Sequence, residues 1–159
     1  MEILITAILG VIGGFLLHAI AMKVNFKQVV IEDKKRLYTS IVSQWLKMRS
    51  FIYDHRQNPN IHPDFDHMYI ECINISSGIQ LISEQSDLSE RITLLSYEIY
   101  NTHWSNLDPD RFNDLIDMFF VRKALEIIKI MRSDIRDTSR LELVDLIHIL
   151  RGLVHVRKS

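Results

Sequence analysis

The sequence predicts an all-α protein: a single N-terminal transmembrane helix that continues into a stalk, followed by a cytoplasmic helical bundle. Three observations predict it. Residues Ile3 to Met22, ILITAILGVIGGFLLHAIAM, contain no Asp, Glu, Lys or Arg, and an uncharged run of roughly 20 residues matches the ~30 Å hydrocarbon core of a bilayer. Beyond it, apolar residues recur at steps of three, four and seven, the period of an amphipathic helix. Period-two alternation is missing throughout. The expected layout is a spanning helix at 1–24, a juxtamembrane amphipathic helix at 25–56 and a helical domain at 64–159.

The first element has two competing readings. A cleaved signal peptide needs a basic start and a small-x-small cleavage site. Ala19-Ile20-Ala21 imitates the second, but only Met1 and Glu2 precede the run. A buried core helix would show a polar face, and this run is apolar all round. For a spanning helix, the flanks set the orientation. Lys23, Lys27, Lys34, Lys35 and Arg36 follow the run, so the positive-inside rule puts the N-terminus outside and the domain in the cytoplasm, at the inner (cytoplasmic) membrane. The single cysteine, Cys72, excludes an intramolecular disulfide and fits a reducing compartment. Ala7, Gly10, Gly14 and Ala21 form a small-residue stripe through which helices can approach closely in lipid, making a second copy of this chain an expected partner beside membrane lipid. His18 is the one ionisable side chain of the span, near enough to its end for snorkelling or a gating role.

The next helix continues without a Gly or Pro break. Ile31, Tyr38, Ile41, Val42, Trp45, Met48 and Ile52 define its apolar stripe, so one long helix is expected from about Ile3 to about His55. Asn58-Pro59-Asn60 and His62-Pro63 then break the chain. A second helix is expected from Asp64 to Ser83 on Phe65, Met68, Tyr69, Cys72, Ile75, Ile79 and Ile82. Asp87-Leu88-Ser89-Glu90 has the form of a capping box and opens a third, through about His103, on Leu88, Ile92, Leu95, Ile99 and Tyr100. Asp108-Pro109 is an N-cap followed by Pro at the first helical position, opening a fourth helix to about Asp134. Ser139-Arg140-Leu141-Glu142 is a further capping box, opening a fifth through Val144, Ile147, Leu150 and Val154.

The charge is unevenly distributed. Residues 1–57 hold eight Lys and Arg against four Asp and Glu, and residues 58–159 hold eleven against sixteen. A basic segment beside the membrane suits anionic headgroups. The spacings of His55, His62 and His67 fit no metal-binding pattern, and neither a metal nor a cofactor is expected. Asp64 and Asp66 sit at a helix start, where acidic residues are favoured electrostatically. Nucleophile elbows and phosphate-binding glycine loops are missing. Arg49-Ser50-Phe51-Ile52-Tyr53-Asp54-His55 resembles the R-x4-6-H motif of HEPN-type ribonucleases, but it lacks the polar residue usual directly after the arginine, for which Ser50 is at best a substitute. The resemblance implies that His55 moves a proton and Arg49 stabilises phosphate charge.

The last constellation is basic. Arg132, Arg136 and Arg140 recur at steps of four, and His148, Arg151 and His155 at steps of three and four on one helix face. Arginine forks suit bidentate recognition of phosphate; pairing with Asp134, Asp137 and Asp145 on a solvated face is the alternative. The layout as a whole (the Ile3–Met22 anchor, the stalk through His55 and the basic C-terminal helix) resembles the small membrane effectors of type III CRISPR antiviral defence, which join a short transmembrane part to a helical domain that senses a cyclic oligoadenylate. The resemblance implies a homo-oligomer, and whether the chain is an enzyme stays open, with a non-enzyme favoured. It also implies a cyclic oligonucleotide ligand, rather than duplex nucleic acid, and a membrane segment disturbed by ligand binding. A membrane-tethered scaffold for a protein partner is the other expectation.

Overall fold

The computed structural model describes residues 2–56, 59–105 and 107–139, with side chains at residue 14 and from residue 17 on, Ile61 excepted. The fold is all-α, and no strand occurs among the described residues. α1 runs from Glu2–Asp54, followed by a short 3-10 turn at Pro59–Ile61, α2 at Pro63–Ile82 and α3 at Leu88–Asn101. α4 at Pro109–Ile116 passes into a π-helical segment at Asp117–Lys123 and then into α5 at Ala124–Ser139.

The chain forms two compact units, Met1–Ile31 with Thr138–Ser159, and Glu32–Asp137. In the second, the α1 stripe is the centre of the core: Ile41, Met48 and Ile52 are fully buried, and Tyr38, Trp45 and Phe51 nearly so. Phe65, Cys72 and Ile79 of α2 and Leu88, Ile92, Leu95 and Ile99 of α3 belong to the same core. These sets are spaced at three, four or seven residues, which puts each on one helix face. Both buried indole donors find partners, as burial favours, whereas Arg49 Nε and Gln44 Oε1 are buried with no hydrogen-bond partner among the described residues. Trp45 Nε1 donates to Ser96 Oγ at 3.0 Å, and Trp104 Nε1 to the Ile99 carbonyl at 3.0 Å. Between α2 and α3, Ser76 Oγ lies 2.8 Å from the Ser89 carbonyl and 2.9 Å from Thr93 Oγ1. At Gly78 an added Cβ would lie 3.3 Å from Leu37 Cδ1 of α1, so this position lets the two helices approach.

The helix starts differ from one another. Asp108 caps α4 as its sequence predicts, its Oδ1 accepting the Arg111 N–H at 2.9 Å. α2 begins one residue earlier than expected, at Pro63, with His62 Nδ1 accepting the Asp64 N–H at 3.3 Å. At α3 the expected capping box does not form. Asp87 has helical backbone angles and makes no side-chain cap bond; its carboxylate instead takes Arg91 Nε at 2.6 Å. A guanidinium one turn away outcompetes the backbone N–H for the same oxygen. The second predicted capping box begins at Ser139, which has helical backbone within α5. The rest of that box and the expected fifth helix lie outside the described residues.

The predicted fourth helix is a continuous run of helical backbone with a π segment inside it. The backbone N–H of Ala124 reaches the Phe119 carbonyl, five residues back, and Arg122 Nε meets Asp117 Oδ2, also five apart, at 2.7 Å. The buried residues explain the need. Phe112, Ile116 and Phe119, then Ala124, Ile127, Met131 and Asp134, all face the core. Every step is three or four except the five from Phe119 to Ala124. In an α-helix that step would turn the second set about 140° off the first; the wider π turn restores the common face.

Among the described residues no helix is long and apolar enough to cross a membrane. The predicted span falls mostly on residues 1–13, 15 and 16, whose side chains lie outside the described set. In the unit containing Met1–Ile31, Leu17, Met22, Phe26 and Val29 are exposed.

Candidate functional site

The basic residues expected to bind ligand divide between the described and undescribed parts of the chain. Arg132 and Arg136 are exposed on α5. Arg140, His148, Arg151 and His155 lie outside the described residues. Arg136 donates to Ser133 Oγ at 3.3 Å and lies 3.9 Å from Asp137, close to the solvated pairing that its spacing allowed. Arg132 is different. Among the described residues it forms no ion pair or hydrogen bond, and the same holds for Lys35 on α1. Both line one groove between α1 and α5, together with Tyr38, Thr39, Val42, Ile128, Met131 and Ile135, enclosing about 350 Å³.

Beneath that groove lies a charged cluster that the sequence reading did not single out. Lys34 and Asp134 are both completely buried, with Lys34 Nζ 2.9 Å from Asp134 Oδ2. The Tyr38 hydroxyl donates to the same carboxylate oxygen. The other oxygen, Oδ1, accepts the backbone N–H of Glu84 at 3.0 Å, and the Glu84 carboxylate stands 3.8 Å from Lys34 Nζ. Asp134 therefore joins three segments: α1, the α2–α3 connection and α5. Burial holds the Tyr38 phenol well above its ordinary range, the Asp134 hydrogen bond adding to the effect and a hydrogen bond with Ser83 opposing it. At neutral pH the phenol is a donor, as its bond to a carboxylate requires.

Arg49 and His55 have separate surroundings. The Arg49 guanidinium sits 5.7 Å from the centre of the Tyr53 ring. The His55 ring stacks on Phe51 at 4.0 Å and stands 5.2 Å from His62. Phe51 also stacks on Phe65 at 5.7 Å, which continues to Tyr100 at 5.8 Å and Tyr69. His55 and His62 are thus packing elements at the edge of an aromatic column. His62 doubles as the α2 cap. Among the described residues no group of His, Cys, Asp and Glu could hold a metal ion. Asp66 accepts the Tyr100 hydroxyl at 2.8 Å, linking α2 to α3. Cys72 is fully buried beside Met48, with 3.9 Å between the sulfurs; burial pushes its thiol up to about 11, against a hydrogen bond with Ser96. Such a thiol is a packing group rather than a nucleophile.

Of the small-residue stripe, Gly14 and Ala21 are exposed, and a Cβ added at Gly14 would meet nothing within 4 Å. The side chains of Ala7 and Gly10 lie outside the described set. His18 is exposed.

The cluster had a readable signal. Lys34 falls between Ile31 and Tyr38 on the apolar stripe of α1, and Asp134 follows Ile127 and Met131 on that of α5. A lysine and an aspartate, each at a core position of its helix, need each other. In comparisons with known proteins, no family, no curated protein and no solved structure matches this chain.

Proposed function

We propose that this chain is a membrane-anchored oligomeric effector of antiviral defence. In this reading its helical unit binds a cyclic nucleotide second messenger and its membrane segment responds, by pore opening or loss of membrane integrity. The anchor rests on the uncharged run Ile3–Met22 and the lysines that follow it. The observation that carries the ligand reading is Arg132, an exposed guanidinium on α5 without a partner among the described residues, first in the basic series that continues through Arg136, Arg140, His148, Arg151 and His155. A guanidinium left unpaired on a helical surface is available to a phosphate. Coupling requires that ligand bind two subunit arrangements with different free energy.

The test uses the full chain in vesicles of phosphatidylethanolamine and phosphatidylglycerol loaded with a self-quenching dye. Cyclic oligoadenylates are expected to release dye, and charge reversal at Arg132, Arg136, Arg140 and Arg151 to abolish release. A chain that washes off the vesicles at alkaline pH removes the anchor. A chain that stays embedded but neither binds nor responds removes the sensor, leaving the scaffold. RNA cleavage lost on His55→Ala would establish the ribonuclease instead.

A further inference from the structure

We propose that the groove between α1 and α5 is a binding site for a single-chain amphiphile with an anionic head. Each wall presents one helix face: Lys35, Tyr38, Thr39 and Val42 on α1, and Ile128, Met131, Arg132 and Ile135 on α5. Seven residues separate the ends of each wall, so the groove extends about 10 Å. At about 350 Å³ it is at the small end of the ~300–1,000 Å³ usual for ligand sites.

Its chemistry is lopsided. The floor is aliphatic, with Met131 buried and Val42, Ile128 and Ile135 half-buried. Lys35 and Arg132, exposed on opposite walls, have no carboxylate partner among the described residues. Two cations over methyl and methylene groups suit an anionic head on an alkyl chain. A nucleobase would need side chains that read its polar edges, and the groove has little to give one. The Tyr38 hydroxyl is committed to Asp134, which leaves Thr39 as its one uncommitted neutral polar side chain. The site is also held in shape from below, because Asp134 bonds Tyr38 and Lys34 across the same two helices. This inference shares Arg132 with the nucleotide reading but goes beyond it.

The experiment measures binding of inorganic phosphate and of hexyl, octyl and decyl phosphate, all below their micellar concentrations. The full chain is held in phosphatidylcholine nanodiscs, with empty nanodiscs as blanks. Affinity should rise about threefold to fourfold for each added methylene, with inorganic phosphate showing no saturable binding. Lys35→Gln and Arg132→Gln should each weaken decyl phosphate about tenfold, the scale of a lost hydrogen bond to a charged group. Thr39→Trp, at an exposed position on the groove wall, should abolish binding with the melting temperature unchanged. Affinity independent of chain length overturns the proposal, as does wild-type binding by Thr39→Trp. A change of oligomeric state in Thr39→Trp, without chain-length-dependent binding, would make the groove a subunit contact and overturn it too. Cyclic oligoadenylate is titrated separately on the same samples. Its failure to bind counts against the nucleotide sensor alone, and alkyl phosphate affinity that does not depend on chain length counts against the amphiphile alone.

Discussion

Asp134→Ala should be among the most damaging single substitutions in the helical unit. The change leaves the Lys34 ammonium, which is fully buried, without the carboxylate that lies 2.9 Å away. Removing one partner of a buried ion pair costs about 3–5 kcal/mol, because the charge that remains stays buried and loses its nearest counter-charge, the more exposed Glu84 carboxylate standing 3.8 Å from Lys34 Nζ. The Glu84 N–H and the Tyr38 hydroxyl lose their acceptor as well, each worth about 1–3 kcal/mol if left unsatisfied. These costs overlap, since Tyr38 can turn and water can enter the space vacated, so a loss of about 4 kcal/mol is the working figure. Against a total stability of about 5–15 kcal/mol this is a large fraction. It corresponds to a fall in melting temperature of roughly 15–30 °C for a unit of this size. Urea unfolding of the full chain, followed by the fluorescence of Trp45 and Trp104, reports on this unit, because both indoles are buried within it. The decisive comparison is the triple variant Lys34→Met/Tyr38→Phe/Asp134→Leu. Replacing a whole buried charged cluster by apolar groups of similar size is neutral or stabilising in other proteins, so the triple variant should lie within about 1 kcal/mol of wild type or above it. If Asp134→Ala cost less than about 1 kcal/mol, the pair would behave as a hydrated surface pair and the desolvation reasoning would be wrong. A triple variant as unstable as the single one would refute it equally.

Two other predictions follow from the core and the helix register. The Cys72 thiol, raised to about 11, keeps its proton in the folded chain after the unfolded chain has lost it. Its contribution is therefore complete below about pH 8.5 and is lost as pH climbs toward 11, about 3 kcal/mol in all. Tyr38, also raised, adds to the loss only above about pH 10. Stability measured between pH 9 and 10 should therefore fall in wild type and stay level in Cys72→Ala, and equal slopes would contradict this. Deleting Val121, which is 46% exposed inside the π segment, should convert that turn to ordinary α-helix and keep both buried sets on one face. Deleting the equally exposed Leu125 from α5 should rotate Ile127, Met131 and Asp134 about 100° away from the core and prevent folding. Circular dichroism melts of the two deletions compare them directly, and equal tolerance would rule out the register argument.

Helical periodicity made most of this unit legible. The stripes through Ile41, Trp45, Met48 and Ile52, and through Leu88, Ile92, Leu95 and Ile99, are spaced as their burial requires. Where reading and structure part, the cause is a competition that spacing cannot resolve. Asp87 has the sequence of a cap, but Arg91 on the next turn takes its carboxylate. The π segment is visible only as one five-residue step between Phe119 and Ala124, which matters once it is known that both are buried. The aromatic column from His55 to Tyr69 is a tertiary event, assembled from α1, α2 and α3.

The neighbouring lysines of α1 show what kind of evidence locates a site. In the sequence, Lys34 and Lys35 are two members of one basic flank, equally suited to a lipid headgroup. One residue of helical rotation separates their fates by about 100°. Lys34 turns inward and is neutralised by Asp134, so it serves the packing of α5 on α1. Lys35 turns outward onto the groove it shares with Arg132, with no counter-charge among the described residues. The same contrast appears on α5, where Asp134 is buried and Arg132 is exposed two residues before it. Charge count therefore overstates the binding surface at this end of the unit, since half of these four charges cancel inside it. The remaining two are both positive, both exposed and both on one apolar groove, an arrangement that helical packing does not need. Charge reversal at Lys35 or Arg132 should accordingly alter ligand binding with little effect on stability, whereas reversal at Lys34 or Asp134 destroys the fold that brings the other pair together.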